Sequence, residues 1–193
     1  MKNLLILLVL VTLTFTSCSC HYYGLKSGLN VSSINGDDIG GTQSRLGLVA
    51  GGFAELCVDD YMSIQPEVLY SQQGVKYSDQ NGYDGTIKLD YINVPLMVKF
   101  KASKTFTLEA GPQAGFLLSA KDKFKSSLDS GMEDIKNDIE PIDFGANFGL
   151  IYDLQNGWFF GARYGLGLSN INKNSDVTNK NGVFQFSLGF KFQ

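Results

Sequence analysis

Residues 183–192 read VFQFSLGFKF, and this stretch decides how the rest of the chain is interpreted. Large apolar side chains occupy every second position, at Phe184, Phe186, Leu188, Phe190 and Phe192. Because successive side chains on a β-strand point to opposite faces, such a strand has one apolar face and one small or polar face. A strand that crosses a membrane needs roughly 9–11 residues, so the length of this stretch predicts a transmembrane β-strand.

The same alternation recurs in seven earlier segments. They are residues 22–32, 45–58, 62–73, 86–101, 105–118, 142–152 and 158–168. Long polar connections (34–44, 74–85, 119–141 and 169–182) alternate with short turns. Bacterial outer-membrane barrels have an even number of strands, long extracellular loops and short periplasmic turns. The sequence therefore predicts an all-β fold, an eight-stranded antiparallel up-and-down transmembrane β-barrel with long extracellular loops.

Aromatic residues fall at the predicted strand ends, as the two interfaces of a membrane favour. Tyr61, Phe100, Phe106, Tyr152 and Trp158 lie near the short turns, and Tyr70, Tyr91, Phe116 and Phe144 lie near the long loops. The fourth strand changes its pattern, because the apolar residues before and after Tyr91 have opposite parity. This change predicts a β-bulge near Tyr91. Pro95 lacks a backbone donor, so we also expect a local irregularity there.

The first residues are typical of an export signal. An uncharged apolar run, 4–15, follows Lys2 and is too short to span a membrane as a helix. We therefore predict a cleaved signal peptide at 1–19 and an outer-membrane barrel domain at 20–193. Cys18 and Cys20 stand where an acylated cysteine would stand, but the residues before Cys18 make a poor lipoprotein box, so simple cleavage is the preferred interpretation.

Export implies an oxidising compartment, yet only Cys57 lies well inside the exported chain. A lone cysteine cannot form an internal disulfide framework, so we expect strand hydrogen bonds and packing to stabilise the fold. The full chain has a net charge of −3, and removal of Lys2 makes it one unit more negative. This charge argues against a nucleic-acid partner.

Three short stretches resemble the PorT-like outer-membrane β-barrel family of Bacteroidetes-type bacteria. They read GLKSGLN at 24–30, QPEVLYS at 65–71 and YINVPL at 91–96, and the resemblance spans about residues 20–192. In general architecture the chain is also similar to OmpX and to the OmpA membrane domain. The resemblance implies a bacterial outer-membrane location. We also expect a monomer. The family takes its name from a protein linked to protease secretion, but fold alone does not carry a function.

The face opposite the apolar one supplies a mixed set of charged and polar residues. It consists of Lys26, Arg45, Glu55, Gln65, Glu67, Asn93, Lys99, Glu109, Gln113, Asp143, Asn147, Arg163 and Lys191. Side chains just fill the interior of an eight-stranded barrel. Because buried charges are costly unless paired, the near balance of signs favours a closed core of ion pairs over a narrow conduit or a hidden catalytic site.

The sequence gives little support for a catalytic or metal-binding site. His21 is the only histidine and lies beside the cleavage site, so the histidine-based triads of outer-membrane hydrolases cannot be assembled. An enzyme would need an aspartate-only site. The acidic residues Asp37, Asp38, Asp79, Asp84 and Asp90 match no EF-hand spacing, and solvated loops are the preferred interpretation. We predict no catalytic, cofactor-binding or metal site and no cofactor.

Two functions remain open. The first is a non-catalytic envelope protein with a filled polar lumen, which displays loops for adhesion, secretion or membrane integrity. Its expected partners are outer-membrane lipid and lipopolysaccharide. The alternative is a soluble lipocalin-like barrel with apolar residues inside, which would bind a small hydrophobic ligand.

The longest loop, 119–141, carries apolar residues at helical spacing. They are Phe124, Leu128, Met132, Ile135 and Ile139. The charge order opposes the helix dipole and Gly131 weakens a helix interior, so we expect a marginal helix of two to four turns that ends before Pro141. Its apolar stripe would either fold onto the barrel rim or another loop, or bind a protein partner in a groove.

Overall fold

The computed structural model describes residues 21–36, 42–78, 84–125, 130–173 and 178–192. Within these ranges the chain forms nine strands and one short 3-10 helix. The strands are β1 (His21–Gly36), β2 (Thr42–Cys57), β3 (Met62–Ser78), β4 (Asp84–Lys101), β5 (Phe106–Lys125), β6 (Ser130–Asp134), β7 (Ile142–Asp153), β8 (Trp158–Gly167) and β9 (Asn179–Phe192). The 3-10 helix is Gln155–Gly157. No helix in these ranges is long and apolar enough to cross a membrane.

Eight of the described strands close into a ring. The order is β4-β3-β2-β1-β9-β8-β7-β5, and β5 also pairs with β4. The terminal strand β9, which contains the VFQFSLGFKF stretch, pairs antiparallel with both β1 and β8. This closure leaves the barrel without a free edge at membrane level, as lipid requires. The predicted eight-stranded antiparallel barrel is confirmed.

The two faces of the barrel wall are oriented as the sequence predicts. On β9 the outward side chains of Phe184 and Phe186 are each 55% exposed. On β1 and β3 the inward side chains of Lys26 and Glu67 are only 5% and 2% exposed. A lipocalin has the reverse arrangement, with its apolar residues inside. The lipocalin-like alternative is therefore wrong.

The connections alternate between the two ends of the barrel. At one end the turns at 58–61, 102–105 and 154–157 are tight; the carboxylate of Asp59, for example, accepts hydrogen bonds from the backbone of Tyr61 and Met62. At the other end the strands run beyond their predicted limits, as β5 shows by continuing to Lys125. The strands therefore take up much of what the sequence assigns to loops.

The predicted helix in loop 119–141 is wrong. Residues 119–125 belong to β5, and β6 folds back on it, with Lys123 opposite Met132. Every residue of this part of β5 has a partner on β4, so the ladder continues above the membrane. The sequence KDKFK at 121–125 alternates with the period of a strand, and strand pairing outweighs the weaker helical spacing. Gly131 on β6 lies opposite Phe124 and leaves room for its ring, because a Cβ there would lie 2.7 Å from that ring.

The predicted bulge is present. The register between β4 and β5 shifts between Asp90 and Tyr91, and Leu118 on β5 is the extra residue. The bulge changes the parity of β5, whereas β4 keeps its parity. Tyr91 consequently points inward with 1% of its side chain exposed, so its placement in the outer aromatic belt is wrong. At Pro95 the register does not shift, so the irregularity expected there is not a change of register.

Cys57 at the end of β2 points into the barrel and is 9% exposed. It is disulfide-bonded, and its partner lies outside the described residues. The expectation that Cys57 has no disulfide partner is therefore wrong.

Candidate functional site

The inward polar set fills the barrel. Eleven of the thirteen predicted residues are buried, and Gln113 and Lys191 are half-buried. They come from different strands, and the barrel brings them together in the lumen. Two carboxylates, Glu67 and Glu55, organise the ion pairs.

Glu67 lies at the centre of the first group. Its Oε2 is 2.7 Å from Lys26 Nζ and 2.9 Å from Arg163 Nη1, and its Oε1 accepts from Arg163 Nη2 at 2.9 Å. Gln65 Nε2 also donates to this carboxylate at 2.6 Å. Arg163 completes its contacts through Nε, which donates to Glu109 at 2.7 Å. Paired planar geometry of this kind gives strong, directional hydrogen bonds.

Glu55 forms the second group, closer to the tight turns. Lys99 Nζ lies 2.9 Å from Glu55 Oε2, and Ser63 donates to the other oxygen at 2.9 Å. Lys191 lies 3.4 Å from Glu55 and 2.8 Å from Asp153. Each buried charge in these two groups thus has an opposite charge within reach, which is the condition for keeping it ionised away from water.

Apolar side chains pack beside the Glu55 group, near the tight turns. Phe53, Ile151 and Phe159 form a buried cluster, and the two rings meet edge to face at 5.6 Å between centroids. Phe159 fits over Gly189, where a Cβ would lie 2.2 Å from the ring. None of these three residues belongs to the polar set that alternation predicts for the lumen. The signal for the cluster is the inward parity of bulky residues near the strand ends.

A small polar chamber lies above the ion pairs. The Asp143 carboxylate accepts from Ser169 Oγ at 2.7 Å and from Asn181 Nδ2 at 2.8 Å. Asn147 Nδ2 donates to Gln113 Oε1 at 3.1 Å. The cavity lined by these residues has a volume of about 20 Å³. Such a space holds about one water molecule and is too small for an organic ligand.

The extracellular end carries an apolar plug. Its buried members are Ile34, Val75, Leu89, Tyr91, Leu117, Ala120, Ile139 and Ile171. Ile139 and Ile171 come from two loop segments that bind each other, with the Glu140 amide donating to the Ile171 carbonyl at 2.8 Å. Two residues of the predicted apolar stripe, Ile135 and Ile139, do pack here, whereas Met132 is 55% exposed.

The candidates for catalysis or metal binding do not come together. His21 starts β1 opposite Leu56, at the end with the tight turns. Asp84 and Asp90 lie six residues apart on β4, about 20 Å along the strand, so they cannot ligate one ion. Asp37, Asp38 and Asp79 fall outside the described residues. In the described ranges, no group of three or more His, Cys, Asp or Glu residues is placed to hold a metal.

Above the membrane, β3, β4 and β5 continue as a sheet to which β6 adds an edge. We call residues 75–78, 84–90, 119–125 and 130–134 the outer sheet. Its inner face is fixed by Tyr77, whose hydroxyl donates to Asp122 at 2.9 and 2.8 Å from the two oxygens. The Tyr77 ring covers Gly85, where a Cβ would lie 1.9 Å from it. One side chain thus joins three strands.

The chain is similar to known outer-membrane β-barrel proteins. A family model described as "Outer membrane protein beta-barrel domain" matches residues 21–173. No curated protein matches the chain. Among solved structures the chain is similar to Ail, the attachment invasion locus protein of Yersinia pestis, at 16% identity, with 89% of this chain and 98% of that chain covered and a TM-score of 0.55. It is also similar to Neisserial surface protein A (NspA), at 14% identity, with 90% and 100% covered and a TM-score of 0.57.

Ail has also been solved in complex with the heparin analogue sucrose octasulfate. That structure is 17% identical, covers 89% of this chain and 99% of its own, and gives a TM-score of 0.54. At these identities the likenesses show the barrel fold alone. The narrower PorT-like resemblance stays a prediction. Since the family model matches most of the described strands, the chain belongs to the outer membrane protein β-barrel domain family and is a bacterial outer-membrane protein.

Proposed function

We propose that this protein is a non-catalytic, non-conducting barrel that anchors an extracellular binding surface in the outer membrane. The observation that carries the proposal is the filled lumen. Phe53 and Phe159 pack beside the group around Glu55 near the tight turns, the group around Glu67 fills the middle, and the plug with Ile139 closes the other end. A solute has no path through these layers. The functional surface is then the part of the chain outside the membrane.

The complex of Ail with sucrose octasulfate supports an outward-facing role of this kind. It associates a similar barrel with a highly sulfated ligand, and the outward face of the outer sheet of this chain carries five lysines against three acids. We therefore favour anionic groups of the cell surface, with lipopolysaccharide first among them, as the partners. The barrel acts as a monomer, since its sheet closes on itself.

The proposal also includes export through a cleaved signal peptide. Residues 1–19 form the signal peptide, and mass spectrometry of the mature protein from the envelope fraction tests this directly. A mature chain beginning at Cys20 agrees with cleavage after Ser19. A diacylglyceryl mass on Cys18 or Cys20 would replace simple cleavage by lipidation.

Conductance tests the closed lumen. Full-length protein is refolded into planar bilayers at a protein-to-lipid ratio at which a trimeric porin gives clear steps, and insertion is verified by protection from protease. We expect no stable single-channel steps from the inserted barrel. Large stable steps would contradict the filled lumen and return the function to transport.

A further inference from the structure

The outward face of the outer sheet carries lysines at regular positions. Lys76, Lys121 and Lys123 are exposed and Lys88 is half-exposed. Their strand neighbours Val75, Ile87 and Asp122 point to the inner face, so the four lysines share the outer one. We call these four residues the lysine array.

The strand register brings the array together. Lys88 lies directly opposite Lys121, and Thr86 has Lys76 on one side and Lys123 on the other. Directly opposite residues in an antiparallel pair have Cβ atoms about 4.5–5.5 Å apart, and diagonal neighbours about 7–8 Å. The four ammonium groups therefore surround Thr86 within reach of one or two anionic groups.

The array has an excess of positive charge. In the described part of the chain none of its lysines forms an ion pair. Three acids share this face, of which Asp134 lies opposite Lys121 and Asp84 opposite Lys125, and Asp90 lies near Lys88 along β4. Like charges directly opposite destabilise a sheet, so the Lys88–Lys121 pair favours an anion between its members.

The height of the lysine array above the aromatic belt determines which anionic groups it can reach. Phe116 is an exposed member of the outer aromatic belt and lies opposite Ile92, and Lys88 is four residues beyond Ile92. At about 3.4 Å per residue and a strand tilt of about 40°, Lys88 and Lys121 stand about 10 Å above the belt, and Lys76 and Lys123, opposite Thr86, stand about 5 Å higher. Charged headgroups begin at the belt and extend about 5–8 Å outward, within the reach of the Lys88 and Lys121 side chains.

We propose that the lysine array binds the phosphate groups of the outer-leaflet glycolipid, lipopolysaccharide. The inference deepens the proposed function and rests on it, because it needs the outer sheet to face the cell exterior. The Tyr77 contacts on the inner face hold β3, β4 and β5 in fixed register, so the four cations are placed before the lipid arrives. A preformed array loses less entropy on binding than four independent side chains.

The test compares two full-length charge variants in lipid bilayers. The first replaces the array (K76Q, K88Q, K121Q, K123Q). The matched control carries K101Q and K104Q at the opposite end of the barrel. Each protein is refolded into phosphatidylcholine nanodiscs, and binding of purified lipopolysaccharide is measured by the fluorescence of a label on the glycolipid. Because surface lysines each favour anionic lipid measurably, we expect the array variant to bind at least tenfold more weakly than wild type. The control should match wild type.

Two further ligands identify the source of the anion. Lipopolysaccharide from which the phosphates have been removed should bind wild type as weakly as the array variant. Sucrose octasulfate, a soluble polyanion, should compete only weakly for the bound glycolipid. Array-variant binding within twofold of wild type, equal binding of the dephosphorylated glycolipid, or preference for the soluble polyanion would each overturn the proposal. Capture of a protein through the same lysines without glycolipid binding would also overturn it.

Failure of this site can be separated from failure of the proposed function. Heat-modifiable migration on gels shows whether each variant has folded, and protease protection of the embedded barrel shows its insertion. A folded, non-conducting array variant that binds glycolipid like wild type rejects the lysine array and leaves the closed, anchored barrel intact.

Discussion

Glu67 offers the sharpest test of the filled lumen. Its carboxylate is 2% exposed and contacts Lys26, Arg163 and Gln65, all at 2.9 Å or less. In the variant E67Q the barrel keeps two buried cations near an uncharged amide. Arg163 retains Glu109, but Lys26 forms no other ion pair in the described residues. Removing one partner of a buried pair costs about 3–5 kcal/mol, so we expect a loss of that size in the free energy of unfolding.

A second substitution tests whether the loss of stability comes from the unpaired ammonium group of Lys26. In the double variant K26M/E67Q the unpaired ammonium is gone, and we expect stability to recover by about 1–2 kcal/mol relative to E67Q. Urea unfolding in lipid vesicles can be followed through Trp158, the single tryptophan, whose side chain is 46% exposed on the outer face of the barrel. E133Q is the matched control, because Glu133 is exposed on β6 and its change should stay within about 0.5 kcal/mol.

Two outcomes would refute this reasoning. If E67Q unfolds within about 1 kcal/mol of wild type, the charges around Glu67 are not excluded from water as the structure indicates. If K26M/E67Q is no more stable than E67Q, the loss does not come from the buried ammonium of Lys26. Either result would also weaken the proposal that the lumen is closed.

Three further predictions test other parts of the barrel. In the urea assay, G189A should lose about 1–3 kcal/mol of stability, because its methyl group would meet the Phe159 ring at 2.2 Å. The control G52A, whose added methyl group has its nearest contact at 3.5 Å, should have a stability near that of wild type. Y77F removes the hydroxyl hydrogen bond that reaches across β4 to the Asp122 carboxylate on β5. Hydrogen exchange should become faster at 84–90 and remain unchanged in the strands near the tight turns. I139D should disrupt the plug, yet bilayer recordings should still show no stable steps, because the ion pairs below remain; steps at the size of a porin would mean that the plug alone closes the barrel.

Much of the fold follows from alternation. The parity of each segment places Lys26, Glu67 and Arg163 inside and the phenylalanines of β9 outside, and the structure agrees. Alternation does not say which acid meets which base. Arg163 and Glu67 are 96 residues apart, and they meet because of the stagger of the closed barrel, which the sequence does not display locally.

Alternation of apolar and polar residues does not predict two features of the structure, and each has a physical reason. Phe53 and Phe159 have inward parity although they are bulky and apolar, and their rings fill the space left over Gly24 and Gly189. The segment 119–141 has apolar residues at a spacing of three or four and lysines at a spacing of two. Its first part forms a strand because β4 is available as a pairing partner. Tertiary pairing therefore decides a segment whose local pattern permits either structure.

The closed lumen and the outer sheet are mechanically related. Arg163 on β8 contacts Glu67 on β3 and Glu109 on β5, and Lys26 on β1 contacts Glu67 as well, so the network links strands that are not neighbours in the ring. Backbone hydrogen bonds alone tie each strand only to the two beside it. The cross-links brace β3 and β5, and these strands continue without a break into the outer sheet. The ion pairs around Glu67 therefore hold the strands that carry the lysine array in place. A rigid array loses less entropy when it binds the phosphates of a lipid leaflet.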